Sequence, residues 1–250
     1  RFRSNVTGVP LAPDDRGEAH MGWGPHLRVT FDGHADIRAD FPDCEARLRF
    51  DDFHPRYDYP RLVRSPIMGE SHHFEVAGRM TGTVRLGDSE VEVDAIGYRD
   101  RSWSNRDWSV LRGTRWWPCV FGPDLSLHLL HAFADSGELF KVGYLLRDGE
   151  PVVVVDSDII VNLESDALTP RGGTARIRLE TGEELDLRCE RRDGIALHVR
   201  GYTAMESIGR AYLGDREGFS NLEVCTNATG GAKPPVLAIG ANIGDGLSRR

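Results

Sequence analysis

The densest chemistry in this 250-residue sequence lies in Gly97-Tyr98-Arg99-Asp100-Arg101-Ser102-Trp103-Ser104-Asn105-Arg106-Asp107-Trp108, which holds two carboxylates, three arginines and two tryptophans. Two tryptophans so close together need buried places for their rings, so a purely solvated loop explains the segment poorly. One reading is structural: Asp100 and Asp107 pair with Arg99, Arg101 or Arg106 to pin a corner, and Trp103 and Trp108 cap a core. The other is chemical, with a strand end delivering Asp100 and Trp103 to the mouth of a cavity. A carboxylic acid beside aromatic faces in a water-poor pocket has its pKa raised by desolvation and can donate a proton. The ring faces then stabilise a developing cation. That combination suits protonation of an alkene, with Asp100 as donor, Asp107 as the rival acid, and Tyr98, Arg106, Asp107 and Trp108 as substrate contacts. A guanidinium beside Asp100 would lower its pKa, but strand parity sends Arg99 and Arg101 to the opposite face.

A second cluster is Ser71-His72-His73-Phe74-Glu75. Alternation along a strand puts His73 and Glu75 on one face and His72 with Phe74 on the other. Imidazole and carboxylate side by side can orient water, hold the second oxygen of an acid, or simply hydrogen-bond. A metal site wants three or more ligands, and His128 and His131 fall on opposite faces of their strand, so no metal is expected. His128 lies among leucines in Leu125-Ser126-Leu127-His128-Leu129-Leu130-His131, where a core histidine and a substrate contact both fit. Trp116 and Trp117 face opposite ways, so at most one lines the same cavity. Core packing is the default for both, and Trp117 is the candidate substrate contact. No nucleophile elbow, phosphate loop or dinucleotide fingerprint appears, and Gly78-Arg79-Met80-Thr81-Gly82 lacks the strand-then-helix context of a phosphate loop. No cofactor is expected.

These residues must be positioned by β-strands. Leu27 to Phe31 and Ala46 to Phe50 read as strands, and Phe53 to Pro60 as a loop. From Gly69 onward short alternating runs are separated by turn dipeptides. Met80 to Leu86 turns at Gly87-Asp88 into a strand whose apolar face carries Val91, Val93 and Ala95. Asp148-Gly149 and Thr181-Gly182 close two more hairpins, and a turn at Asp193-Gly194 leads into Ile195, Leu197 and Val199. Helical periodicity is confined to short stretches at Arg106 to Leu111 and after Met205. The expected fold is all-β and antiparallel, a barrel or sandwich, in two units, residues 1–112 and 113–250.

Composition narrows the partners. With 39 acidic against 31 basic residues, a net charge of −8 and no basic tract, nucleic acid is excluded as an expected partner. No apolar run approaches the roughly 18 residues of a membrane helix. Twenty-eight glycines and 13 prolines fit many turns between short elements. Cys44, Cys119, Cys189 and Cys225 form no close pair, so buried free thiols are expected rather than a zinc knuckle or a disulfide scaffold. Only Lys141 and Lys233 are lysines among the 31 basic residues, a bias that fits a GC-rich bacterial genome. The sequence begins at Arg1 without a charged-then-apolar leader, and cytoplasmic location is the default expectation.

From Ser71 to Trp108 the sequence resembles the carotenoid 1,2-hydratase (hydroxyneurosporene synthase) and AttH-like superfamily. The resemblance rests on His73-Phe74-Glu75, Gly78, the Gly87-Asp88 hairpin and the run from Gly97 to Trp108. It is strongest to an uncharacterised bacterial branch with a His-x-Glu and Gly-x-Arg-Asp-His-Ser-Trp-Gly-x-Arg-Asp-Trp pattern. Asp100, Trp103, Arg106 and Asp107 match that pattern, while Arg101 stands where it has His and Ser104-Asn105 replace Gly and its neighbour. The resemblance implies two lipocalin-like β units enclosing an apolar cavity, and hydration or cyclisation of isoprenoid-like substrates.

Three functions are then in competition. The first is a lyase of hydratase or dehydratase type, or a cyclase, acting by acid catalysis on an apolar isoprenoid-like or polycyclic substrate. The second is a non-catalytic, lipocalin-like carrier of a small hydrophobic molecule. The third is a carbohydrate-active protein, in which sugar faces stack on tryptophan and two carboxylates do the work.

Overall fold

A computed structural model describes residues 20–23, 26–58, 72–103, 111–134, 136–166, 168–199, 202–226 and 248–249. The side chains of 20–23, 72, 102–103, 198–199, 202 and 248–249 lie outside that description. The described residues form β-strands and turns with no helix, and no helix is long and apolar enough to cross a membrane. The strands are antiparallel apart from one short parallel pairing, Ser248–Arg249 on Asn162–Leu163.

Two compact units interleave along the chain rather than meeting once near Arg112. One holds residues up to Phe53 together with Gly78–Gly97; the other holds His54–Ala77 and everything from Tyr98 onward. In the first unit β1 (His20–Trp23), β2 (Leu27–Phe31), β3 (Ala35–Phe41) and β4 (Cys44–Asp52) form a curled sheet. The later part of β6 (His72–Leu86) extends it, and β7 (Ser89–Trp103) pairs with β6. The glycines of the Gly78–Gly82 segment serve close strand packing. A Cβ on Gly78 would lie 2.4 Å from the Phe50 ring, and one on Gly82, at φ +134°, would lie 2.0 Å from the Arg47 carbonyl oxygen.

The second unit contains β5 (Tyr57–Asp58), inside the segment expected to be all loop, paired with the start of β6. It also contains a closed eight-stranded barrel. The barrel strands are β8 (Leu111–Gly122), β9 (Leu125–Ala134), β10 (Leu139–Arg147), β11 (Glu150–Leu163), β12 (Pro170–Leu179), β13 (Glu184–Val199), β14 (Tyr202–Leu213) and β15 (Arg216–Asn221). Neighbours in the sequence pair with one another, β15 returns to β8, and β16 (Glu223–Thr226) bridges β14 and β8. Asp148 (φ 54°) and Gly149 (φ 82°) make the tight turn that the Asp-Gly dipeptide predicts.

Three local expectations are corrected. Asp193-Gly194 is not a turn: β13 runs straight through it, with a bulge between Arg191 and Asp193. Glycine is needed there because a Cβ on Gly194 would meet the Glu206 carbonyl oxygen at 2.2 Å. The stretch after Met205 is strand β14, not helix, with Ser207, Ala211 and Leu213 on its buried face and Ile208 on its exposed one. The alternating apolar residues of β7 and late β13 do not cover a core, since Val91 is 58% exposed and Ile195 59%.

The barrel interior is filled by one cluster that includes Trp117, Leu127, Leu129, Leu145, Ile177 and Leu187. Leu130, Ala132, Val142, Tyr144 and Leu146 project from the other face of β9 and β10 and are buried as well. Strands buried on both faces cannot alternate in polarity, which explains the Trp116-Trp117, Leu129-Leu130 and Leu145-Leu146 doublets. Cys119, Cys189 and Cys225 are buried free thiols and Cys44 is half-buried. Burial pushes the Cys189 thiol up to about 12.

Candidate functional site

Glu75 is the centre of the site. It sits on β6 opposite Tyr57, and the period of two puts His73 on the same face, as the sequence predicts. Its side chain has no exposed surface. Four donors converge on the carboxylate. Trp116 Nε1 donates to Oε1 at 2.5 Å and Tyr144 OH to Oε2 at 3.2 Å. His73 Nε2 lies 3.1 Å from Oε1, and His128 Nδ1 is in contact with Oε2. His128 and Tyr144 face each other across β9 and β10, with rings stacked at 4.7 Å. Burial alone would raise the Glu75 pKa. The His128 and His73 imidazoles outweigh it and hold the carboxyl below the usual carboxylate range.

Asp100 approaches from the end of β7. Its Oδ2 lies 3.8 Å from the same His73 Nε2, and its side chain is 38% exposed. His73 therefore stands between a fully buried carboxylate and one that reaches solvent. Among the described residues Asp100 is half-exposed beside an imidazole rather than enclosed by apolar groups. Arg99 does turn away, placing its guanidinium 5.3 Å from the Phe74 ring centroid.

Tyr98 joins this cluster to a second pair of acids. Its ring stands edge-on to Trp116 at 5.1 Å and to His128 at 6.5 Å. Asn221 Nδ2 donates to the Tyr98 hydroxyl oxygen at 2.9 Å and to Glu206 Oε2 at 2.7 Å. Glu223 lies directly across from Trp116 in the β16–β8 ladder and accepts from Cys225 Sγ at 2.9 Å. Burial, reinforced by the neighbouring Glu206 charge, pushes the Glu223 carboxyl up to about 8. Glu75 ionised and Glu223 protonated at neutral pH thus flank one tryptophan, each state set by its surroundings.

Of the residues singled out in the sequence, His73, Glu75, Tyr98, Asp100 and His128 come together. Trp117 does not: it points into the barrel and donates to Ser220 Oγ at 2.9 Å, so Trp116 is the tryptophan of the site. The Trp103 side chain, Arg106, Asp107 and Trp108 lie outside the described residues. His131 faces away from His128, as expected, with Nε2 2.8 Å from Ser157 Oγ. The inference that the histidines do not converge fails for His73 and His128, which meet on Glu75. Among the described residues no three His, Cys, Asp or Glu side chains are arranged to hold a metal. Sequence reasoning did not single out Tyr144, Glu206, Asn221 and Glu223. Only the Trp116-Trp117 doublet signalled this face, without saying which ring belonged to it.

The family model described as "Domain of unknown function (DUF7064)" matches residues 1–228. No curated protein matches the chain in sequence. Among solved structures, a Nitrosomonas europaea protein provisionally identified as an AttH is 12% identical, with a TM-score of 0.69, over 85% of this chain and 71% of that one. The likeness supports an AttH-like fold.

Proposed function

We propose, from the premise that the chain belongs to the DUF7064 family, that it is a proton-transfer enzyme of hydratase, dehydratase or cyclase type. Its substrate is an apolar, isoprenoid-like or polycyclic molecule. The observation that carries this reading is His73 Nε2 lying 3.1 Å from buried Glu75 and 3.8 Å from half-exposed Asp100. Such a pairing lets His73 pass a proton to the outer group that meets substrate while the buried carboxylate orients its ring. Asp100, recharged through His73, delivers the proton to an alkene carbon. The faces of Trp116 and Tyr98 lie against the positive charge that develops, and Glu75 supplies a buried counter-charge.

A carrier role has less support, because the interior positions that hold ligand in a lipocalin-like barrel are here filled by Trp117, Leu127, Leu129 and their neighbours. Mass spectrometry of small molecules co-purifying with the protein identifies the ligand, and incubation with it in D2O reads the chemistry. Deuterium incorporation by the wild type, lost in Asp100→Asn, is the expected result. An unlabelled ligand bound equally by both forms would establish the carrier instead.

A further inference from the structure

Ser126 and His128 lie two positions apart on β9 and therefore project from the same face. Val120 and Leu146 pair with Ser126, and Pro118 and Tyr144 pair with His128. Ser126 is 2% exposed and His128 0%. Among the described residues Ser126 Oγ and both ring nitrogens of His128 lack a hydrogen bond of ordinary geometry, although Nδ1 is in contact with Glu75 Oε2. A buried polar group left in that state costs about 1–3 kcal/mol, so two of them side by side among Val120, Leu146 and Pro118 require a reason.

The contact of His128 Nδ1 with Glu75 supplies that reason. A carboxylate accepts from Nδ1–H, so in the neutral ring Nε2 carries the lone pair and accepts. A serine hydroxyl both donates and accepts. An acceptor nitrogen beside such a hydroxyl is the complement of one O–H group. An anionic ligand, which only accepts, would leave Nε2 mismatched.

The geometry points to a binding site for a single hydroxyl oxygen, a water molecule or an alcohol group of the substrate, held between Ser126 Oγ and His128 Nε2. It rests on the proton-transfer reading of Glu75 and names the oxygen that this reaction adds or removes. In the hydration direction the alkene carbon gains a proton from Asp100 and the water oxygen forms a bond to the resulting cationic carbon. The proton that this oxygen sheds passes to His128 Nε2, so one water is added. In reverse, His128 returns that proton to the leaving hydroxyl, the C–O bond breaks, water departs, and the neighbouring carbon gives its proton to Asp100 to form the alkene. His128 backed by Glu75 thus has the arrangement of a histidine base oriented by a carboxylate.

High-resolution crystal structures of the full chain test this, in plain buffer and after soaking with geraniol. The expected result is one ordered oxygen at about 2.7–3.2 Å from both Ser126 Oγ and His128 Nε2, absent from Ser126→Ala. If the geraniol hydroxyl replaces that oxygen, the site takes the substrate alcohol. If the water stays, it holds the reacting water. A dry site in the wild type, or the two atoms bonded to protein groups instead, would overturn the assignment. Histidine-selective 15N NMR gives a second readout in solution: the His128 Nε2 resonance should move in Ser126→Ala, and an unmoved resonance counts against the site. The two proposals fail separately. Full deuterium incorporation in Asp100→Asn would sink the relay and leave the oxygen in place, whereas a dry site would leave the Asp100 result untouched.

Discussion

Trp116 donates its indole N–H to Glu75 Oε1 across 2.5 Å, tying barrel strand β8 to a strand that precedes it by 41 residues. The bond satisfies a half-buried indole and fixes one oxygen of a buried carboxylate. The other oxygen is left to Tyr144 and His128. Glu75 is therefore a structural hub as well as a chemical one.

Glu75→Gln keeps the shape but faces an amide N–H toward at least one donor. Leaving a buried donor without its acceptor costs about 1–3 kcal/mol each, more where the lost acceptor was charged. Urea denaturation should show a loss of that order. A loss below about 1 kcal/mol would mean that the imidazoles do not rely on the carboxylate.

Asp100 is half-exposed, so Asp100→Asn should change stability by no more than about 0.5 kcal/mol. Turnover should fall about 100-fold or more, the usual cost of losing a positioned acid or base. Deuterium exchange into the ligand reads the rate, and thermal melting reads the fold. A variant that unfolds would return Asp100 to the role of a corner pin.

Burial, then the Glu206 charge, push the Glu223 carboxyl up from 4.5 to about 8 in the folded chain. The folded state therefore holds this proton more tightly than the unfolded state. The resulting stabilisation is fully present below about pH 4.5 and is lost as pH rises through about 8. Glu223→Gln should flatten the fall in melting temperature over that interval, with about 2–4 °C for each kcal/mol recovered. Parallel wild-type and variant curves would refute the assignment.

His131 shows the opposite sign. Burial first, then Lys141 and Arg115, lower it from 6.5 to about 4. A neutral His131 thus supports the fold above about pH 6.5, and that support drains away as pH falls to about 4. His131→Gln, which can still bond Ser157, should melt with a shallower acid limb than the wild type. An unchanged limb would show that other groups set it.

The hairpins were legible because their chemistry is local: Asp148-Gly149 demands a left-handed pair of residues and the structure has one. The sharing of a face by His73 and Glu75 was legible for the same reason, since parity along a strand needs no tertiary knowledge. What met them was not. Trp116 and Trp117 are equivalent in sequence, and only the curvature of the closed barrel decides which ring goes inside. Asn221, at the end of β15, reaches Tyr98 and Glu206 of β14, and Glu223 meets Trp116 through the ladder between β16 and β8. Glu206, Asn221 and Glu223 all lie more than a hundred residues beyond Tyr98. Asp193-Gly194 misled because a bulge and a turn draw on the same dipeptide.

The interleaving of the two units bears on inheritance. His73 and Glu75 belong with the barrel, yet the segment carrying them is followed by Gly78–Gly97 of the other unit and preceded by residues up to Phe53 of it. A single crossover can therefore move the barrel together with its buried carboxylate only by carrying Gly78–Gly97 of the other unit along. A recombinant keeping only residues from 113 onward would retain Trp116, His128 and Tyr144 as three donors without their acceptor. A breakpoint between Glu75 and Leu111 would part the acid from these donors while leaving the barrel's ladders whole.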